Sequence, residues 1–198
     1  MVFFHSWCFL FSHPQNFTPV CSTELGRIAV FQNEFKKRNV KILAHSVDDL
    51  AAHIEWVNDI HNYCKDICGD FPYPIIADPS RELAVKFGMI DADQEVDVET
   101  AKTIRALFVI SPNKRIRLAM YYPTSCGRNV DEILRCIDSL QLTDRLKIVA
   151  TPANWTPGEK VMVLPEATEE EIKKVFPNGL DEVKMPSGKV YIRTTTDY

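Results

Sequence analysis

The sequence predicts an α/β fold, a mixed sheet flanked by helices, with a small C-terminal α+β extension. Three observations carry this. Short apolar runs alternate with stretches of helical spacing through the first half of the chain, an order that builds βαβ units with parallel strands. Two further strand-like runs then flank Pro112-Asn113-Lys114, whose turn chemistry makes them an antiparallel hairpin. From Leu146 onward the composition changes, with proline at 152, 157, 165, 177 and 186, so domains are expected at 1–145 and 146–198.

Residues 6–12 form an apolar run that reads as a buried strand leading into a loop at Cys21. Ser22 to Phe31 has helical spacing, with Leu25, Ile28, Ala29 and, further on, Phe35 on one face. Val40 to Val47 is β-rich. Residues 49–65 return to helix, with an apolar face expected from Leu50, Ile54, Val57 and Ile60 to Tyr63. Pro74 to Asp78 is a short strand closed by Pro79 and a helix over 80–87; an acidic loop at 91–100 precedes the strands Ile104 to Ile110 and Arg115 to Tyr122. Asn129 caps a helix running through Ile137. In the extension, Thr168 followed by Glu171 is a capping box, and weak strands are expected near 160–164 and 189–193.

The 198 residues are 45% hydrophobic and 25% charged, enough to bury a core without staples. The net charge of -4 argues against a nucleic-acid surface, which needs clustered cations; Lys36-Lys37-Arg38 and Lys173-Lys174 read as solvated helix faces. The six cysteines, 8, 21, 64, 68, 126 and 136, read as reduced thiols. The opening Met1 to Phe11 is apolar, but it lacks a basic start and is too short to span a bilayer. A cytoplasmic location is expected, with a mitochondrion or other organelle as the alternative. His45, His53 and His61 lack metal-like companions, and Cys64-x-x-x-Cys68 is neither a redox pair nor a zinc site.

One cysteine differs from the rest. Cys21 in Phe17-Thr18-Pro19-Val20-Cys21 stands at the start of the first helix, where unpaired backbone N–H groups and the positive end of the helix dipole favour an anionic sulfur. A cap-like threonine and a proline stand beside it. The spacing Pro14-x-x-x-Thr18-x-x-Cys21 resembles the signature of the peroxiredoxins, and the run Leu10 to Gly26 is similar to the one-cysteine, peroxiredoxin-6 type. The segments Asp70 to Pro79, Lys86 to Met89, Tyr122-Pro123 with Gly127-Arg128-Asn129, Thr151 to Trp155 and Val161 to Pro165 follow in that family's order.

The resemblance implies a thioredoxin-like fold with a C-terminal arm used in homodimer contact, and a thiol peroxidase acting on hydrogen peroxide and organic or phospholipid hydroperoxides. Cys21 would be the nucleophile, Pro14 its shield, Thr18 a hydroxyl bonded to sulfur or peroxide, and Arg105 the active-site arginine. His13 would stand near the sulfur, and Arg128 would be a second, outer arginine; read from its position alone, Arg128 is a helix-start surface residue. No cofactor or metal is implied. The sulfenic acid left on Cys21 needs a thiol to resolve it. No cysteine follows Cys136, and Cys126 and Cys136 match no resolving position of the family, so an external thiol is implied, glutathione with a glutathione transferase as a partner.

The family's phospholipase A2 side activity uses Ser, His and Asp. Ser6 matches the serine, but Asn113 stands at the carboxylate position and His5 is a shifted substitute, which leaves that activity doubtful. The family's opening hairpin has no counterpart here, so apolar surface is expected to lie uncovered around Phe3, Phe4, Trp7 and Phe9. The alternative function is a non-catalytic holdase or interaction variant.

Overall fold

A computed structural model describes residues 5–91 and 100–198. The chain falls into two compact units, Met1–Val130 and Asp131–Tyr198. The division lies at the start of the long helix Val130–Arg145, whereas the composition shift lies at that helix's end.

In the first unit, β1 (Trp7–Ser12), β2 (Val40–Ser46), β3 (Ile75–Ala77), β4 (Arg105–Ile110) and β5 (Ile116–Tyr122) form one sheet in the order β3-β2-β1-β4-β5. β1 pairs in parallel with β2 and antiparallel with β4, and β4 and β5 form the hairpin. This is the mixed sheet expected from the element order. Helices α1 (Pro19–Val30) and α2 (Gln32–Lys37) connect β1 to β2, α3 (Leu50–Tyr63) connects β2 to β3, and α4 (Glu82–Lys86) follows β3.

β1 is buried on both faces, as a central strand with helices on either side must be. Cys8 and Leu10 face a cluster with Val47, Ala84, Met89, Ala106 and Phe108. On the opposite face Phe9 stacks on Phe11 and on Phe35 of α2, with centroids 5.0 and 5.3 Å apart. Trp7 and Phe9 are therefore covered, against expectation: Phe9 is fully buried, and the Arg117 guanidinium lies 5.9 Å from the Trp7 ring. Phe3 and Phe4 lie outside the described residues, as do residues 92–99 of the acidic loop.

Two helices differ from the sequence expectation. The first begins at Pro19 rather than Ser22, because Pro19 has its φ preset for the first helical position and Thr18 takes the extended N-cap conformation; it breaks at Phe31, so Phe35 belongs to α2. α3 turns a different face inward. His53, Trp56 and Ile60 are buried, while Leu50 and Ile54 are 62% and 63% exposed and Tyr63 is exposed. The tight approach of α1 sets this face: a Cβ on Gly26 would lie 3.0 Å from Cys64 Cβ and 3.6 Å from an Ile60 methyl. The Trp56 indole N–H also donates to Ser22 Oγ at 3.2 Å.

In the second unit, β6 (Val149–Ala150), β7 (Val161–Val163), β8 (Asp181–Glu182) and β9 (Arg193–Thr195) form a small sheet in the order β6-β7-β9-β8. Helix α5 (Val130–Arg145) spans the division, and α6 (Glu169–Val175) opens on the expected capping box of Thr168 and Glu171. The last strand falls at 193–195, later than the expected 189–193. Leu142, Val149, Trp155, Val161, Val163 and Phe176 make this unit's own core.

Candidate active site

The register of three strands gathers the site at one end of the first sheet. β1 runs toward that end and hands the chain to α1. β4 runs the other way, with Phe11 opposite Leu107, so Arg105 falls just beyond the last residues of β1. β5 reverses again, with Tyr122 opposite Arg105. The end of β1, the start of β4 and the loop after β5 thus meet beside the first turn of α1. Side-chain hydrogen bonds lock the junction: Ser12 Oγ donates to Ile104 O at 2.6 Å and accepts from Ala106 N at 3.0 Å, and Thr103 Oγ1 donates to His13 O at 2.9 Å.

Cys21 lies in the first turn of α1 and is 1% exposed. Arg105 Nη1 donates to its Sγ at 3.3 Å and to Glu24 Oε2 at 2.7 Å. The other side of the same guanidinium donates to Thr124 O, from Nε at 2.9 Å and Nη2 at 2.6 Å. A positive, planar donor held on both flanks stabilises negative charge on sulfur, and has the geometry to do the same for a leaving oxygen.

Glu24 is the residue that sequence reading missed. It is buried, and it accepts from Arg105, from Arg128 Nε at 2.9 Å and Nη2 at 2.8 Å, and from the Arg128 backbone N–H at 2.7 Å. Burial raises its carboxyl pKa, but the Arg128 contacts and the Arg105 charge outweigh this and hold it below the usual range. The signal was available: an acid at position 24 lies on the same helical face as Leu25 and Ile28, where an unpaired charge is costly.

Arg128 is correspondingly not a surface residue. It is buried, donates from Nη1 to Ala106 O at 2.9 Å, and lies 5.0 Å from the centroid of Phe11. Pro14 is buried between β1 and α1. The hydroxyl of Thr18 gives no cap to the helix; it donates to Gln15 O at 2.9 Å, which leaves its oxygen lone pairs for another donor. Phe17 has a φ of 53°, a strained conformation for a bulky residue, at the corner that turns the loop into α1.

His13 is buried and belongs to a second network. The Asn16 side-chain amide bridges His13 Nε2 and His53 Nδ1, each at 2.8 Å, and Asn16 N donates to Asp48 Oδ2 at 2.9 Å. Burial pushes the His13 pKa down to about 3, and burial also lowers those of His53 and of His45, whose Nε2 meets Asp78 at 3.0 Å. These are neutral imidazoles. No cluster of metal-ligating side chains occurs among the described residues. Ser6 Oγ donates to Asn39 Oδ1 at 3.0 Å, and Asn113 accepts from Ser111; these contacts assemble no Ser-His-acid relay.

The sequence pattern of the AhpC/TSA family matches residues 3–119, and that of the C-terminal domain of 1-Cys peroxiredoxin matches residues 139–179. The chain belongs to the peroxiredoxin family. It is 51% identical over 191 residues to peroxiredoxin-6 of Gallus gallus, covering 96% of this chain and 85% of that one. It is 47% identical to the 1-Cys peroxiredoxin of Dirofilaria immitis, over 95% and 83%. The crystal structure of a cysteine-to-serine mutant of the peroxiredoxin 6 of Arenicola marina superposes with a TM-score of 0.91 at 50% identity, covering 98% of this chain and 87% of that chain. A yeast mitochondrial 1-Cys peroxiredoxin, described in terms of thiol resolution through glutathione and thioredoxin systems, superposes at 0.83 with 39% identity, over 98% and 87%.

This peroxiredoxin is a thiol peroxidase with a thioredoxin-like fold, and that reading holds over the holdase alternative. No helix among the described residues is long and apolar enough to cross a membrane.

Proposed function

We propose that Cys21 is the peroxidatic cysteine and that Arg105, Glu24 and Arg128 form one unit that serves it. The observation that carries this is the guanidinium of Arg105, which donates to the buried Cys21 sulfur at 3.3 Å while Glu24 and Thr124 fix it in place. The Cys21 thiolate attacks the distal oxygen of a hydroperoxide, the O–O bond breaks, and the leaving oxygen departs as water or alcohol after taking a proton. Cys21 becomes a sulfenic acid. Arg105 orients the peroxide and spreads the charge that develops on its oxygens. Thr18 offers a lone pair to the incoming hydroperoxide O–H, and Pro14 limits water at the sulfur. His13 supports the loop through Asn16.

Substrates are hydrogen peroxide and organic or phospholipid hydroperoxides. The reductant is a small external thiol of the glutathione type, delivered with a glutathione transferase; the yeast mitochondrial relative is described in terms of glutathione and thioredoxin systems. The enzyme works as a homodimer in the cytoplasm, and residues 146–198 are an accessory extension to the peroxidase region at 1–145. The exposed edge strand β5, with Ile116 and Tyr121 about half exposed, supports self-association.

The test is peroxide consumption by the reduced protein with and without glutathione. Sustained turnover is expected only with the added thiol, and Cys21→Ser is expected to lose both burst and turnover. A burst of normal size in Cys21→Ser overturns the assignment.

A further inference from the structure

We propose that Cys126 is an intrachain resolving thiol, which captures the oxidised Cys21 as a Cys21–Cys126 disulfide when free reductant is scarce. This rests on the peroxidase reading above and concerns only what happens to Cys21 after peroxide has reacted.

Three ties bind the loop that carries Cys126 to the first turn of α1. Thr124 O accepts at 2.6 Å from the guanidinium that donates to Cys21 Sγ at 3.3 Å, so a single planar group spans the loop and the sulfur. A Cβ on Gly127 would lie 3.5 Å from Val20, the residue before Cys21. Arg128 closes the loop on Glu24, one helical turn beyond Cys21. Between these anchors Cys126 is exposed, held by its backbone N–H on Pro123 O at 3.0 Å, and its thiol donates to Gly127 O at 3.8 Å. It is an exposed, unpaired cysteine on a loop tied to the first turn of α1.

The other cysteines of the first unit are less suited. Cys8 is buried within the sheet, and burial pushes its thiol up to about 11. The Cys64 side chain is pressed against Gly26, further along α1 from Cys21. Cys68 lies beyond Cys64 in the connection that follows α3.

The step balances. The Cys126 thiolate attacks the Cys21 sulfenic sulfur, the new S–S bond replaces the S–OH bond, and the hydroxyl leaves as water with the proton that Cys126 gave up. Cys21 and Cys126 together supply the two electrons that reduced the peroxide. Two small thiols then reopen the disulfide and leave as their own disulfide. Because Cys21 is buried, pairing requires the Pro19–Cys21 turn to open. The turn is held by Ser22 N and Oγ on Thr18 O at 3.0 and 2.9 Å and by Arg105 on the sulfur.

The experiment treats the reduced protein with one equivalent of hydrogen peroxide without added thiol, blocks remaining thiols with an alkylating agent and maps peptides under non-reducing conditions. The expected result is a peptide pair joined through Cys21 and Cys126, with joint loss of those two free thiols. Cys126→Ser, a change at an exposed position, is expected to give instead a sulfenic acid on Cys21 that a dione probe captures, and sulfinic acid at lower peroxide doses than wild type. Wild-type protein that consumes the peroxide yet carries only sulfenic or sulfinic Cys21, with Cys126 fully alkylated, overturns the proposal while leaving the peroxidase reading intact. Protein that leaves the peroxide unconsumed overturns both.

Discussion

Cys21 and Cys136 are both buried cysteines on helices, and the groups that touch their sulfurs differ: a guanidinium reaches Cys21, whereas Cys136 meets a carboxylate as well as a guanidinium. Cys21 stands in the first turn of α1 and receives Arg105 at 3.3 Å. Cys136 stands in the middle of α5, donates to the Glu132 carboxylate at 3.2 Å, and has its pKa raised to about 11 by burial and by that carboxylate, against the weaker pull of Arg135. Burial alone makes a thiol inert, since it penalises the thiolate. On the proposed reading, Cys21 is set apart by the guanidinium that reaches its sulfur and by its place in the first turn of a helix.

The sharpest way to break this contrast is to remove each sulfur in turn. Cys21→Ser is expected to reduce peroxide consumption to the uncatalysed rate, and Cys136→Ser to leave most of it, read as the fast phase in stopped-flow. A comparable loss in both would mean that burial and not charge governs reactivity here.

Arg105→Lys keeps the charge but loses the fork that reaches Cys21, Glu24 and Thr124 together. Catalytic efficiency with hydrogen peroxide is expected to fall by about 10²-fold, the scale of losing one fixed donor at a developing charge. Glu24→Gln leaves two buried guanidiniums without their shared anion. Removal of one partner from a buried ion pair costs about 3–5 kcal/mol, so a lower denaturation midpoint should accompany slower turnover. Unchanged stability in that variant would show that the arginines find water instead.

Protons provide a milder test. His13 binds a proton near pH 3 when folded and near the ordinary histidine value when unfolded, and His45 and His53 are shifted the same way. The unfolded state therefore holds more protons below about pH 6.5, so stability is full above that pH and declines as the pH falls toward 3. Each imidazole that stays neutral in the fold contributes about 1.4 kcal/mol per pH unit to this slope. Glu24, with its lowered carboxyl pKa, adds its own loss below the usual carboxylate range. Denaturant midpoints that stay level between pH 7 and 5 would contradict the neutral, buried histidines. The smallest effect is expected from Glu132→Gln, which takes the anion away from Cys136 and should raise its alkylation rate a few-fold while leaving peroxide turnover unchanged.

Sequence by itself determined what is local. The strand at 6–12, the Pro112-Asn113-Lys114 hairpin and the Thr168 capping box depend on residues within a few positions of one another, and so does the place of Cys21 at a helix start. Tertiary structure decided whatever depends on partners far apart in the chain. Helical spacing declared α3 a helix, but the approach of α1 at Gly26 chose His53, Trp56 and Ile60 as its inner face and left Leu50 and Ile54 in solvent. Likewise, Glu24 meets Arg105 and Arg128 across 81 and 104 residues of chain, through strand register that periodicity cannot express. Backbone preferences act within a turn or two, whereas the energy of a buried charge is set by whichever groups the fold brings to it.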